Sequence, residues 1–236
     1  MKNLFVFSLL LIVGAAGFAQ NNNPAVPSQP AELNTAADSA NYAFGVIVGF
    51  NVLRQMGDQY NHEMFMKGLS PAIKGMPAAM SPEEANRIFG EFNKGIQARA
   101  IQKYKAEGRS FAEANKKRKE VITTPSGLQY EVMKKGSGTV HPKATDKVEV
   151  HYHGTLLDGT VFDSSVDRGA TTSFPLNGVI AGWTEGVQYM VVGDKFKFYI
   201  PSDLAYGDRG SNPKIKGGMT LIFEVELFKI EPTTPK

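Results

Sequence analysis

The spacing of apolar positions changes once along the chain, and the change divides it. Between Ala36 and about Glu120 they recur every three or four residues: Tyr42, Val46, Phe50 and Leu53, then Phe65, Leu69 and Ile73, then Ile88, Phe92 and Ile96. That spacing predicts helices with a single apolar stripe. Ser81-Pro82-Glu83-Glu84 reads as the start of the third helix, with serine as N-cap, proline at the first helical position and glutamate placed to close a capping box. The helical pattern runs on to about Lys119, although Gly95 and Gly108 argue against one unbroken helix. From Val121 the period becomes two. Leu128–Lys134, Val148–Leu156, Phe196–Ile200 and Leu221–Ile230 read as strands bounded by Gly, Pro or Asp clusters. Val148, Val150 and Tyr152 share one face, as do Phe196, Phe198 and Ile200, and Leu221, Phe223, Val225 and Leu227. An antiparallel sheet with one apolar face needs a cover. The compact helix beginning near Trp183 is the candidate, so the pattern predicts an α+β chain with helices first and a covered sheet second.

The first residues stand apart from both halves. Lys2 is followed by an apolar run from Leu4 to Val13, broken only by Ser8, and then by small residues ending Gly17-Phe18-Ala19 before Gln20. This is the layout of a secretory signal peptide cleaved after Ala19, since the run is too short to span a bilayer. Residues 20–35 are rich in Asn, Pro, Ala, Ser and Gln and read as a flexible tether. The domain plan is therefore 1–19 leader, 20–35 tether, 36–120 helical domain and 121–236 sheet domain, with Thr123-Thr124-Pro125-Ser126-Gly127 as the turn at the boundary. Cysteine is absent, which excludes thiol catalysis, disulfides, cysteine-based zinc sites and a lipid-modified cysteine. Export is then expected to end in a soluble compartment, a periplasm.

Helices with one narrow apolar stripe bury little alone, so the helical half is expected to pack against a second copy; a small monomeric bundle is the alternative. Nine Lys or Arg face three acids between Lys94 and Glu120, which a solvated helix face accounts for without nucleic acid.

Four segments concentrate unusual residues: Val150-His151-Tyr152-His153-Gly154, Asp158 to Ser165, Val179-Ile180-Ala181-Gly182-Trp183-Thr184-Glu185-Gly186, and Ile200-Pro201-Ser202-Asp203-Leu204-Ala205-Tyr206-Gly207. With Leu221 to Leu227 they resemble FKBP-type peptidyl-prolyl cis–trans isomerases over about residues 127–230. The helical half, through Tyr42-Ala43-Phe44-Gly45 and Lys67-Gly68-Leu69, is more loosely similar to the dimerisation domain of the macrophage infectivity potentiator group. The resemblance implies an N-terminal all-helical dimerisation domain followed by an antiparallel half-barrel sheet wrapped on a short helix, with no cofactor. It implies a pocket with Trp183 as floor, Tyr152, Phe162 and Phe223 as walls, and Asp163 beside Tyr152. Val179, Ile180 and Ile215 would touch substrate, with the Ile180 N–H and the Tyr206 hydroxyl as donors to its carbonyls. A plain half-barrel core is the alternative for spaced aromatics, but Gly182-Trp183 opens a short helix and Asp163 directly follows Phe162, an odd neighbour for a purely apolar core.

Two positions depart from the family pattern. Thr172 stands where a large apolar residue is usual, and the flap after Tyr206 reads Ser211-Asn212-Pro213-Lys214-Ile215, with Ile215 as its only branched apolar contact. Macrolide binding is expected to be weak in consequence. Three other signals are set aside. His151 and His153 share a strand face without a third ligand, Ser211-x-x-Lys214 sits in a glycine-rich loop, and Glu224 and Glu226 alternate with apolar residues as a solvated face does. The functional expectation is a dimeric isomerase that accelerates X-Pro isomerisation in exported proteins, with chaperone activity; a non-catalytic holdase for unfolded envelope proteins is its rival.

Overall fold

The computed structural model of the chain describes residues 32–53, 56–211 and 213–232, so the leader expected at residues 1–19 lies outside the described residues. The chain divides into two compact units, residues 1–66 and 67–236.

In the first unit, α1 (Ala36–Val48) opens on a capping box at Thr35 that the sequence reading did not single out. The Thr35 hydroxyl accepts from the Asp38 N–H at 3.0 Å, and the Asp38 carboxylate accepts from the Thr35 N–H at 3.0 Å. Two of the orphan donors of the first turn are thereby satisfied. The helix continues into a wider turn at Gly49–Leu53. Tyr60 packs on Phe65 with ring centres 5.9 Å apart. No residue of α1 is buried, and Tyr42, Phe44 and Ile47 are each more than half exposed. Helix α2 (His62–Ile73) contains the division between the units, and it also has no buried residue.

The second unit holds α3 (Pro82–Asn115), 34 residues without a break and therefore about 50 Å long. The Ser81 hydroxyl accepts from the Glu84 N–H at 3.2 Å, which makes Ser81 the N-cap. Gly108 does not interrupt it, and the reason is tertiary: a Cβ there would collide with Oγ1 of Thr220. The C-terminal half of α3 lies against the sheet domain. Asn115, 5% exposed, donates from Nδ2 to Oε1 of Gln129 at 2.9 Å, Gln129 donates to the Ala112 carbonyl at 2.9 Å, and Phe111 packs on Tyr199. Just after the helix, Arg118 donates to the Tyr199 hydroxyl at 3.0 Å and to Glu131 at 2.5 Å. These contacts join segments on the two sides of Val121.

The sheet is antiparallel and open. Its strands are β1 (Ile122–Thr123), β2 (Gln129–Lys134), β3 (Lys147–Leu156), β4 (Val161–Ser164), β5 (Thr172–Pro175), β6 (Lys195–Ile200) and β7 (Leu221–Glu231). The order is β1-β2-β6-β7-β3-β4, and β5 pairs with the first half of β3 on the side where β4 takes the second half. The four long strands match the alternating segments to within one residue at each end. The short strands β1, β4 and β5 carry too few alternating positions to show a period. Along β3, Val148, Val150 and Tyr152 point inward while Lys147, Glu149 and His151 face outward. The cover is α4 (Ala181–Gly186), lying on β6 so closely that a Cβ on Gly186 would stand 2.6 Å from the Phe198 ring. Phe198, Leu176, Val187, Ile200, Leu221 and Val225 are fully buried between helix and sheet. On the outer face Glu224 pairs with Lys195 at 2.8 Å and Lys197 at 3.3 Å, and Glu226 pairs with Lys134 at 3.0 Å, as the alternation predicts for a solvated surface.

Candidate active site

The aromatic residues converge because strand alternation and the start of α4 aim them at one point. Tyr152 on β3 and Phe223 on β7 face inward from neighbouring strands, Phe162 enters from β4, and Trp183 stands in the first turn of α4. The Trp183 indole meets Tyr152, Phe174 and Phe223 edge to face, with ring centres 5.5, 5.8 and 5.2 Å away. Phe162 meets Phe223 in the same way at 5.2 Å. Such T-shaped contacts match ring edges to ring faces and fix the rings more firmly than burial alone does. Gly154 on β3 makes room for them, since a Cβ there would lie 2.7 Å from the Phe162 ring and 2.9 Å from that of Phe223.

Together the rings enclose a cavity of about 630 Å³ whose lining includes every residue the sequence reading assigned to a pocket: Tyr152, Phe162, Asp163, Val179, Ile180, Trp183, Tyr206, Ile215 and Phe223. The structure adds Phe174, Gly178, Ser211, Pro213 and Lys214 to that lining. Phe174 does not stand out in the sequence as a site residue, because β5 is only four residues long and nothing in its pattern marks which side turns inward.

The polar groups of the cavity fall into two sets. In one, the Tyr152 hydroxyl donates to Asp163 at 2.5 Å and accepts from Arg168 Nη2 at 2.7 Å, while Arg168 Nη1 is bonded to the other carboxylate oxygen of Asp163. The guanidinium also stands 5.5 Å from the centre of the Tyr152 ring. The sequence carries one signal for Arg168: it is the one basic residue between β4 and β5, close in the chain to an acid that follows an inward phenylalanine. Burial works to raise the Asp163 carboxyl, but the hydrogen bonds from Tyr152 and Arg168 outweigh it and hold the group below the usual carboxylate range. Tyr152 is pushed up, first by burial and then by its bond to Asp163.

The other set consists of donors without partners among the described residues. Ile180 is the N-cap of α4, and its carbonyl accepts from Trp183 and Thr184, yet its own N–H bonds to no described residue. The Tyr206 hydroxyl likewise has no described partner, and burial followed by the charge of Asp163 pushes its ionisation up, so it remains a neutral donor. Trp183 is 4% exposed, and its Nε1 is a buried polar atom without a hydrogen bond. An unpaired buried donor costs about 1–3 kcal/mol, so the buried Trp183 Nε1, with the half-buried Ile180 N–H and the 40%-exposed Tyr206 hydroxyl beside it, points to acceptors brought by a ligand.

The flap closes one side. Ser211 and Ile215 exchange backbone hydrogen bonds at 2.7 and 2.9 Å, and Lys214 reaches across to the Val161 carbonyl at 2.9 Å rather than to Ser211. The two histidines turn to hydroxyls, His151 Nδ1 lying 3.1 Å from Ser165 Oγ and His153 Nδ1 lying 2.9 Å from Ser164 Oγ.

Comparison with known proteins agrees with this geometry. The family model described as FKBP-type peptidyl-prolyl cis-trans isomerase matches residues 138–228, and that of the domain amino terminal to FKBP-type peptidyl-prolyl isomerase matches residues 37–132. The FKBP-type peptidyl-prolyl cis-trans isomerase FkpA of Aeromonas hydrophila is 42% identical over 228 residues, which cover 90% of this chain and 83% of that one. The outer membrane protein MIP of Legionella longbeachae is 34% identical, with 84% of this chain and 88% of that one covered. The crystal structure of FkpA from Escherichia coli superposes with a TM-score of 0.66 at 34% identity, covering 85% of this chain and 99% of that one. With an aromatic cavity in the fold's sheet domain and matches that run through both halves, the chain belongs to the FKBP-type peptidyl-prolyl cis–trans isomerases that carry the additional amino-terminal domain.

Proposed function

We propose that the isomerase acts on proline-containing segments of exported, unfolded or partly folded proteins, and that the cavity over Trp183 is where the peptide bond turns. The observation that carries this reading is the aromatic cavity over Trp183 with Ile180 N–H, Tyr206 Oη and Trp183 Nε1 at it, three donors that bond to no described residue. Rotation about an X-Pro bond faces a barrier of roughly 18–20 kcal/mol because the C–N bond is partly double. Amide resonance is lost in the twisted form, which is less polar than the planar one, so a dry aromatic site favours the twist over the ground state. The proline ring rests on Trp183 between Tyr152, Phe162, Phe174 and Phe223, Val179 and Ile215 bound it, and Ile180 N–H and Tyr206 hold the flanking carbonyls. Lowering the barrier by about 8 kcal/mol accelerates the rotation roughly a million-fold. No bond breaks, so no nucleophile takes part.

The test is a protease-coupled assay on a proline tetrapeptide with the full-length protein. Turnover well above background is expected, and a background rate would leave the holdase reading. Catalysis is expected to vary little between about pH 6 and 8, because no proton is exchanged with the substrate. Asp163, held low, stays ionised throughout that range, and Tyr152 and Tyr206, pushed up, stay neutral. The support Asp163 gives Tyr152 is lost only as pH falls through its lowered pKa, and the phenols ionise only well above neutrality. A steep bell-shaped profile of kcat/KM around neutral pH would contradict the mechanism.

The remaining parts of the reading rest on the helical half. Helices α1 and α2 bury no residue of their own, and their apolar stripes suit a homodimer through residues 36–120 whose arms also hold unfolded clients, a chaperone activity beside the catalytic one. The leader at residues 1–19 directs the chain to a periplasm, and among the described residues no helix is long and apolar enough to cross a membrane. A macrolide would bind weakly, because the flap offers Ser211 and Lys214 where an apolar ligand needs contacts.

A further inference from the structure

The loop between β6 and β7, residues 201–220, forms one side of the cavity and supplies Tyr206, Ser211, Pro213, Lys214 and Ile215. Much of its internal order is local: Gly207 donates to the Ser202 carbonyl at 2.8 Å, Gly210 to that of Tyr206 at 3.1 Å and Gly218 to that of Gly207 at 2.9 Å. Its support from behind is α3. Ile101, Lys105 and Gly108, spaced as one face of that helix, meet the loop at three points. The backbone at Gly218 passes so close to α3 that a Cβ there would lie 2.6 Å from the Ile101 carbonyl, and Gly108 sits on Thr220. Between them Lys105 Nζ lies 3.2 Å from Asp203 and 2.7 Å from Asp208, the residues three before and two after Tyr206.

We propose that Lys105 is a positioning residue for catalysis: by holding Asp203 and Asp208 on one ammonium it fixes the turn that presents the Tyr206 hydroxyl to the cavity, so that α3 forms the back of the active site. The inference rests on the reading of Tyr206 as a substrate donor. The two carboxylates are more than half exposed, and ion pairs with exposed groups add little to global stability. What the pairs do is local, fixing the distance across the six-residue segment Asp203–Asp208, whose other bonds are internal to the loop. Asp208 and then Asp203 hold the Lys105 ammonium above its ordinary range, so the clamp is closed at all pH values near neutrality.

The experiment compares full-length Lys105→Met, Lys105→Arg, Tyr206→Phe and the Lys105→Met/Tyr206→Phe double variant on a proline tetrapeptide, with amide hydrogen exchange followed by mass spectrometry. Lys105→Met should lower kcat/KM about tenfold, mostly through kcat, with a melting temperature within about 2 °C of the parent. Exchange should quicken in residues 203–218 and not in β3 or β7. Lys105→Arg should restore most of the rate, and Lys105→Met should add nothing to Tyr206→Phe, since both act through one hydroxyl. If Lys105→Met does not fold, Asp203→Asn/Asp208→Asn opens the same clamp from the other side and must give the same pattern. Unchanged exchange in the loop, or additive losses in the double variant, overturns the proposal. Quickened exchange with parental activity overturns it as well, and if Tyr206→Phe is then also fully active, the donor role of Tyr206 falls with it.

Discussion

Trp183→Leu is expected to fold, to keep more of the side-chain volume than alanine would and to lose most of its isomerase activity, at least tenfold in kcat/KM toward a proline tetrapeptide. The indole is the shared contact of three edge-to-face pairs, with Tyr152, Phe174 and Phe223, and leucine supplies bulk without a ring face for the proline to rest on. Trp183→Ala adds a second effect. It leaves a hole in the centre of the sheet domain and should cost about 3–5 kcal/mol of stability, so its loss of activity mixes catalysis with unfolding. Trp183→Phe separates the contributions further. It keeps an aromatic face and removes Nε1, the buried donor without a partner, so it should be no less stable than cavity loss alone implies. Activity and thermal melts of the three variants check the order. A Leu variant that folds and turns over at the parental rate would remove Trp183 from the site.

The same tryptophan shows how much of the molecule can be read from the chain. The four long strands and the cavity's main walls follow from alternation, because a residue such as Tyr152, Phe198 or Phe223 occupies a position whose neighbours two away are also apolar. The start of α3 follows from Ser81-Pro82, where capping chemistry is local. What was not legible depends on partners distant in sequence. Gly108 reads as a helix breaker until Thr220 is placed against it, and nothing in the local pattern shows that Asn115 and Gln129 are each other's buried partners. Arg168 falls in a turn with no period at all, and only its bonds to Tyr152 and Asp163 give it a role. Lys105 belongs to a run of basic residues that looks like a solvated face, and one member of that run is about one-fifth exposed and engaged by two carboxylates of a loop roughly a hundred residues on.

That hidden packing changes what a truncation should do. A fragment 81–236 keeps the N-cap of α3 and all of the contacts between α3 and the sheet, while removing α1 and α2, which bury nothing. It is expected to fold and to match the full-length protein per site on a tetrapeptide. A fragment 121–236 loses Asn115 and the Ala112 carbonyl from Gln129, which is 2% exposed, Phe111 and Arg118 from Tyr199, and Lys105 from the Tyr206 loop. Water replaces α3 over Gln129, so each lost hydrogen bond costs about 0.5–1.5 kcal/mol, and with the lost ring contact the fragment should melt about 10 °C below fragment 81–236. On a refolding protein limited by a proline step the ranking changes again. Full-length protein should be much faster than either fragment, because a client held by the arms of a dimer meets two tethered sites at an effective concentration approaching the millimolar range. Calorimetry, both activity assays and sedimentation of the three proteins decide each part separately. Equal melting of the two fragments would make the packed half of α3 a mere connector, equal refolding rates for all three would deny the helical half any part in recruiting clients, and a monomeric full-length protein would leave the exposed stripes of α1 and α2 to clients alone.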